Sequence, residues 1–405
     1  MGLTDTGVIW GYKFNRLTFR VPNTTGYFPN NNRPEKTSRL SILSNSPNKV
    51  TINWGDGSAL EEVDFIANGS KYDFKIEGNY HTFNGTNSFY NISFSFEKPE
   101  AINLLTTFAV NLGISFPNGI INLIKLESLN IEIGSGIENF PENLSALEKL
   151  TNLKLQNASL TKIDESLLNL NLESLDLALS INLSDFTATN FNKINRLQNT
   201  LKNLGIRGSG ITTLPSEILE LDLLERFDLS NLNFTILPIN IPENISELVC
   251  INTDNLTSWE RIDRLTNLNN ILFRNTSNSL TQNPITSEFL SLTKLKTVNV
   301  SSSATRNGSG GIDVMIEHWY NFTTNNATKD TSQNKFRNMI FNNNIFGDDI
   351  PSGTYQQPAN YNANVSNGNP ASSQEYIWVM VHQYEHQWTH SVPDGAGGIE
   401  NITRQ

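Results

Sequence analysis

The phrase L-x-x-L-x-L recurs eight times between residues 126 and 300, and it constrains the fold more than any other feature of the 405-residue chain. The copies are Leu126-Leu129-Ile131, Leu150-Leu153-Leu155, Leu172-Leu175-Leu177, Leu201-Leu204-Ile206, Leu224-Phe227-Leu229, Ile245-Leu248-Cys250, Leu268-Ile271-Phe273 and Leu295-Val298-Val300, with a degenerate forerunner at Leu105-Phe108-Val110. The shortest step between starts is 21 residues, from 224 to 245, and the longest is 29, from 172 to 201. Alternation over the last two apolar positions predicts a short strand with one set of side chains buried and the other facing solvent. Between strands, Phe140-Pro141-Glu142-Asn143-Leu144-Ser145-Ala146-Leu147 and Leu214-Pro215-Ser216-Glu217-Ile218-Leu219-Glu220-Leu221 place a proline at the opening of a short helical or 3-10 return. One such unit cannot bury its apolar face alone. Neighbours must therefore stack, and the strands form a parallel sheet on the concave side of a curved solenoid, roughly 40 Å along the stack at about 4.8 Å per strand.

Nine tandem units over about half of the chain resemble the leucine-rich-repeat family, and the resemblance assigns residues 99–303 to such a solenoid. It implies ligand binding or scaffolding without catalysis, and it leaves the ligand open. Asparagines usual after the last apolar position stand at Asn157, Asn231, Asn252 and Asn275, but Leu179, Gly208 and Ser302 occupy other copies, so some turns are expected to close differently. The concave positions expected to bind a protein or glycan are Asn130, Glu132, Lys154, Gln156, Asp176, Arg207, Arg226, Asp228, Val249, Ile251, Leu272 and Arg274, with Ser230, Asn299 and Ser301 beside them. Val249, Ile251 and Leu272 read as an apolar anchor. The alternative is a spacer whose strand positions are merely solvated.

Residues 37–98 alternate as strands, in Leu40-Ser41-Ile42-Leu43 and in Val50-Thr51-Ile52-Asn53-Trp54. Trp54-Gly55-Asp56-Gly57-Ser58 and His81-Thr82-Phe83, with Tyr90-Asn91-Ile92-Ser93-Phe94-Ser95-Phe96 behind them, resemble the PKD-type immunoglobulin-like sandwich. Asp56 between two glycines reads as a turn residue bonding its own backbone rather than as a metal ligand or catalytic acid. Residues 1–36, with Trp10, Tyr12, Phe14, Leu17 and Phe19, read as an arm. Such an arm docks either on another chain, which makes a homo-oligomer possible, or on the sandwich itself.

Past Ser301-Ser302-Ser303 and Gly308-Ser309-Gly310-Gly311, residues 304–405 are expected to form a small α+β module with a helix at Ile312, Met315, Ile316, Trp319 and Tyr320. His382-Gln383-Tyr384-Glu385-His386 satisfies H-x-x-E-H, with His390 four residues on, but zinc chemistry needs that pattern on a helix. The alternating Tyr376-Ile377-Trp378-Val379-Met380-Val381 predicts a strand, so no metal or other cofactor and no enzymatic role are expected.

A net charge of -11 without a basic cluster opposes nucleic-acid binding, and no apolar run is long enough to insert in a membrane. The single Cys250 excludes an intrachain disulfide and falls in an inward repeat position, where packing is its expected role. Met1 is followed by neither a basic n-region nor an apolar h-region, which favours assembly in the cytoplasm. The Asn/Ile/Lys/Thr-rich composition is similar to that of Bacteroidota-type proteins, and the Tyr376–Trp388 segment resembles terminal modules of tail and fibre proteins in phages of those bacteria. The resemblance implies a virion component, such as a tail, fibre or capsid-decorating adhesin, contacting other virion proteins or a host-surface protein or glycan. A bacterial cell-surface adhesin is the alternative.

Overall fold

Each inward repeat position whose side chain the structure describes is at most 3% exposed, from Leu129 and Ile131 through Leu153, Leu155, Leu175, Leu177, Leu204 and Ile206 to Phe227, Leu229, Leu248, Cys250, Ile271 and Phe273. Burying one such aliphatic side chain contributes about 1.5–3 kcal/mol. The computed structural model describes residues 16–22, 38–77, 87, 89–107, 116–132, 136–141, 143–163, 165–184, 197–253, 255–256, 261–274, 292, 294–299, 316–317, 320–321, 324, 338–341, 353–362, 366–384, 387–391 and 399–402. They fall in two units, Met1–Gly210 and Ile211–Gln405.

In the first unit β1 (Arg16–Pro22), β2 (Ser38–Ser44), β3 (Lys49–Asn53), β4 (Glu61–Asp64), β5 (Ile66–Asn68), β6 (Lys71–Glu77) and β7 (Phe89–Phe96) precede the repeats. One sheet has the order β1-β7-β3-β4. The other runs β5-β6-β2 and continues through β8 (Ile102–Thr107), β9 (Ser128–Ile131), β10 (Asn152–Leu155), β11 (Ser174–Asp176) and β12 (Asn203–Gly205). Phe74 of β6 meets Phe94 of β7 at 6.2 Å between ring centroids, so the two sheets share an aromatic core with Phe19, Phe65 and Phe96. Strand β8 joins the halves, being antiparallel to β2 and parallel to β9. It is buried on both faces, so the first repeat never presents an open apolar end to water.

Residues 16–22, grouped above with the arm, form β1 and pair antiparallel with β7 from Arg16↔Ser95 to Pro22↔Phe89. This part of the segment finds its partner strand within the chain, with Leu17 and Phe19 buried against it. The Trp54–Ser58 turn closes as expected of a glycine-flanked aspartate, because Asp56 Oδ1 accepts bonds from the Ser58 amide at 3.0 Å and hydroxyl at 2.6 Å. Gly55 has φ +74, and a Cβ there would lie 2.5 Å from the Asn91 carbonyl oxygen. His81-Thr82-Phe83 lies outside the described residues.

Stacking between repeats follows one backbone rule. The Glu127 carbonyl accepts from the amides of Thr151 and Asn152, Thr151 from Glu173 and Ser174, and Glu173 from Lys202 and Asn203. The returns include 3-10 turns at Leu144–Ala146 and Ser216–Glu220, each just after the proline that the sequence places there. The turn after each strand corrects one expectation. Leu179 and Gly208 close in the same way as the asparagines, with φ 61 and 62 beside 51 at Asn157, 57 at Asn231 and 55 at Asn252. At three of these five positions the amide donates to the next repeat, Asn157 to Ala178 O, Leu179 to Arg207 O and Asn231 to Ile251 O. Asn275 and Ser302 lie outside the described residues.

In the second unit β13 (Arg226–Asp228), β14 (Glu247–Ile251), β15 (Asn270–Arg274), β16 (Thr297–Asn299), β17 (Asn338–Phe341) and β20 (Gln387–Ser391) are parallel neighbours in that order. Strand β21 (Ile399–Ile402) closes the edge antiparallel to β20, and β18 (Ala359–Asn362) and β19 (Ser366–Asn369) form a separate hairpin. The sheet therefore runs on past residue 303. Ile316, Glu317, Tyr320 and Asn321 are helical, as the periodicity predicts.

The strand expected at Tyr376–Val381 is instead part of a helix, Ser373–Tyr384. Its start is fixed by a reciprocal cap: the Glu375 amide donates to Ser372 Oγ at 3.4 Å, and the Glu375 carboxylate accepts from the Ala371 amide at 2.6 Å. Ile377, Val379, Met380 and Val381 are all buried. A buried helix needs apolar residues on most of its turn, and the period-2 pattern was the accident of where Trp378 and Tyr376 fall.

Two outcomes follow from these turns and caps. A non-glycine residue in left-handed geometry costs about 1–2 kcal/mol, and Asn tolerates it better. Leu179 is 38% exposed and gains little by burial in return, so Leu179→Asn is expected to raise stability by about 1 kcal/mol in urea unfolding. The Ala371 amide, helped by Gln356, holds the Glu375 carboxyl below its ordinary range. A depressed folded pKa stabilises above the unfolded value and is lost as pH falls through the folded one. The stability advantage of the native protein over Glu375→Gln is therefore expected to shrink as pH drops below about 4, read by chemical unfolding at a series of pH values.

Candidate functional site

On the strand face opposite the leucines, parallel register aligns side chains into rows. In the first unit one row is Leu104, Ser128, Asn152, Ser174 and Asn203, and the next is Thr106, Asn130, Lys154, Asp176 and Gly205. Each row crosses strands about 4.8 Å apart. Asn152 is exposed, and Ser128, Ser174, Asn203, Asn130 and Lys154 are half-buried. The expected residues Asn130, Glu132, Lys154, Gln156, Asp176 and Arg207 thus share one unit and one face. Several already hold each other: Lys154 Nζ lies 3.8 Å from Glu132, and Gln156 Nε2 donates to Asp176 Oδ2 at 2.7 Å. Gln156 is buried, contrary to its assignment as a surface contact, because its amide is drawn onto the neighbouring carboxylate.

In the second unit the rows are Arg226, Glu247, Asn270 and Thr297, then Asp228, Val249, Leu272 and Asn299. Arg226 Nε donates to Glu247 at 2.7 Å, an ion pair at a half-exposed site and so worth under about 1 kcal/mol. Asp228 Oδ1 accepts from the Ser230 amide at 3.1 Å, as Asp176 Oδ1 does from the Ala178 amide at 3.0 Å. Both aspartates brace their own strand ends, and Asp228 is buried while doing so.

Val249 corrects the apolar-anchor reading most directly. It is 2% exposed, and the centre of β14 buries Leu248, Val249 and Cys250 in succession. Strand alternation assigns a side chain to a face but says nothing of what lies over that face. Ile251 and Leu272 remain half-buried, and the side chain of Arg274, like Ser301, lies outside the described residues. Burial, then the Asp228 charge, pushes the Cys250 thiol well above its ordinary range, which suits a packing residue rather than a nucleophile.

The terminal histidines are divided among different elements. His382 is in the helix and stacks on Trp378 with ring centroids 4.2 Å apart, and His390 belongs to β20 opposite Phe341 and Glu400. Glu385 and His386 lie outside the described residues. Among the described residues no group of three His, Cys, Asp or Glu side chains is placed to hold a metal, and no helix is long and apolar enough to cross a membrane. Dialysis against 1,10-phenanthroline is accordingly expected to leave the unfolding midpoint unchanged; a fall in the midpoint restored by zinc would put a metal at the terminal histidines.

No protein-family model and no curated protein matches the chain. Solved structures similar to it include a leucine-rich-repeat protein of Leptospira interrogans, 18% identical, covering 47% of this chain and 58% of its own, with TM-score 0.33. A plant peptide hormone receptor, RGFR1 in complex with RGF2, is 19% identical over 47% of this chain and 34% of its own, with TM-score 0.32. An internalin of Listeria monocytogenes, inlF, is 19% identical over 61% of this chain and 76% of its own, with TM-score 0.33. The chain thus spans less than two thirds of the leptospiral and plant proteins it matches.

Proposed function

We propose that this chain is a non-enzymatic binding protein that holds a protein partner on the strand face of its first unit. The observation that carries the reading is the register of that face. Ser128, Asn152, Ser174 and Asn203 present uncharged donors and acceptors in line, beside a row whose Lys154 and Asp176 carry opposite charges. A row across β8 to β12 is roughly 19 Å long, room for an extended segment of another chain rather than a metabolite. Opposite charges in one row specify the orientation of a partner more than they add affinity. The PKD-like reading of the preceding sheets belongs to the same proposal: their two-layer build and Gly-Asp-Gly turn suit a rigid mount for the repeats.

The place of action we propose is the outside of a virion, with a bacterial surface adhesin as the alternative. Composition and the terminal module support it. A photo-crosslinking amino acid at exposed Asn152 of the full chain, irradiated in the producing cells, is expected to yield a covalent adduct with a second protein. The same residue at Glu148, exposed in a return, is expected to yield none. Equal labelling at both positions, or none at Asn152, overturns the strand-face reading. Particles purified from the same cells and stained with antibody to the chain decide the virion placement.

A further inference from the structure

We infer that the return side of the second unit carries a separate binding site, a pocket of about 310 Å³ that takes one bulky apolar side chain of an extended, uncharged peptide segment of a partner protein. The pocket lies between two returns with the same local phrase, Thr212-Thr213-Leu214-Pro215 and Thr235-Ile236-Leu237-Pro238. Its floor is Leu214, Phe234 and Pro238, of which the first two are buried. The side-chain amide of Asn240 donates to the Leu214 carbonyl at 2.7 Å and so ties the two returns together. The hollow is therefore shaped before anything enters it, which lowers the ordering cost of binding.

Ile236 and Ile239 stand at its edge, 48% and 49% exposed. Exposed aliphatic side chains around a hollow mark contact sites when polar groups bound the patch. Here the boundary is the next return, where Arg264 reaches the Ile241 carbonyl at 3.4 Å and lies 3.9 Å from Glu243.

Chemistry selects the occupant. No lining side chain is charged, in a chain of net charge -11, so neither an anionic nor a cationic group has a counter-charge to meet. The volume is at the lower end of the roughly 300–1,000 Å³ of ligand pockets, room for one bulky side chain. Exposed Thr212 and Thr213 at the rim offer hydroxyls to the amides and carbonyls of a peptide main chain. The one aromatic ring in the lining, Phe234, is buried and offers no open face for a sugar to stack on. The site does not rest on the strand-face reading.

Random heptapeptides displayed on phage and selected against the full chain are expected to converge on one Leu, Ile, Phe or Trp in an otherwise uncharged sequence. A synthetic peptide of that consensus, titrated by fluorescence anisotropy, is expected to bind at least tenfold more weakly to Ile236→Glu and to Thr213→Trp, which occupies the hollow. Both positions are exposed, and an unchanged unfolding midpoint of either variant shows that the loss is local. Lys154→Glu on the strand face is expected to bind the peptide as the native protein does. No consensus, a charged consensus, or equal binding by both pocket variants overturns the proposal, as does glycan-array binding that Ile236→Glu abolishes.

Discussion

A row of aliphatic side chains leaves water in this protein only because the following repeat lies over it. Leu129 is covered from the side of Leu153, and Leu153 from the side of Leu175, at the spacing of paired strands. The same dependence fixes the backbone, since one carbonyl at each strand entry receives two amides from the next repeat. Insertions between strands are tolerated where they leave that exchange intact, which is how steps of 21 and 29 residues coexist in one chain. The arrangement has a consequence at its ends, where a repeat without a neighbour would expose its leucines. Strand β8 removes the problem in the first unit by belonging at once to the antiparallel sheet before it and the parallel one after it.

The strands of the repeats were legible because period-2 alternation inside a repeated phrase reports directly on burial, and Leu204 or Ile271 needed no further information. What lay beyond reach was anything set by a second element. Val249 alternates outward like Asn130, but its burial depends on what covers β14, and no local pattern encodes that. The terminal helix is a different case. Tyr376 to Val381 reads as a strand on alternation alone, while Ser372-Ser373-Gln374-Glu375 just before it is a capping box, a helix-start signal four residues long that outweighs the alternation. The Leu17 and Phe19 segment was legible as apolar, but not as the partner of β7, because pairing between residues 16 and 95 is a property of the sheet.

The left-handed turn after each strand ties local chemistry to the stack. Its amide must reach the carbonyl of the next repeat, and that requirement imposes φ near +60 whatever residue the sequence supplies. Asn157 and Asn231 meet it at little cost, and Leu179 meets it under strain. Tertiary hydrogen bonding therefore overrides residue preference at Leu179, while asparagine adds a side-chain bond between repeats, Asn157 Nδ2 to the Glu132 carbonyl and Asn252 Nδ2 to Asn231 Oδ1, both at 2.9 Å.

Polar groups on the strand face divide by the same logic into those that hold the protein and those that face outward. Asp176 and Asp228 spend one carboxylate oxygen on the amide two residues on, and Gln156 spends its amide on Asp176. Such groups are poor candidates for direct hydrogen bonds to a partner, because a ligand would have to break a bond already made, and the Asp176 charge acts on a partner only from a distance. Ser128, Asn152, Ser174 and Asn203 lie one row toward the strand entry, where the backbone carbonyl takes two amides and Asn152 Nδ2 donates to the Thr151 hydroxyl at 3.0 Å. Their side chains are not required for the turn or for the core.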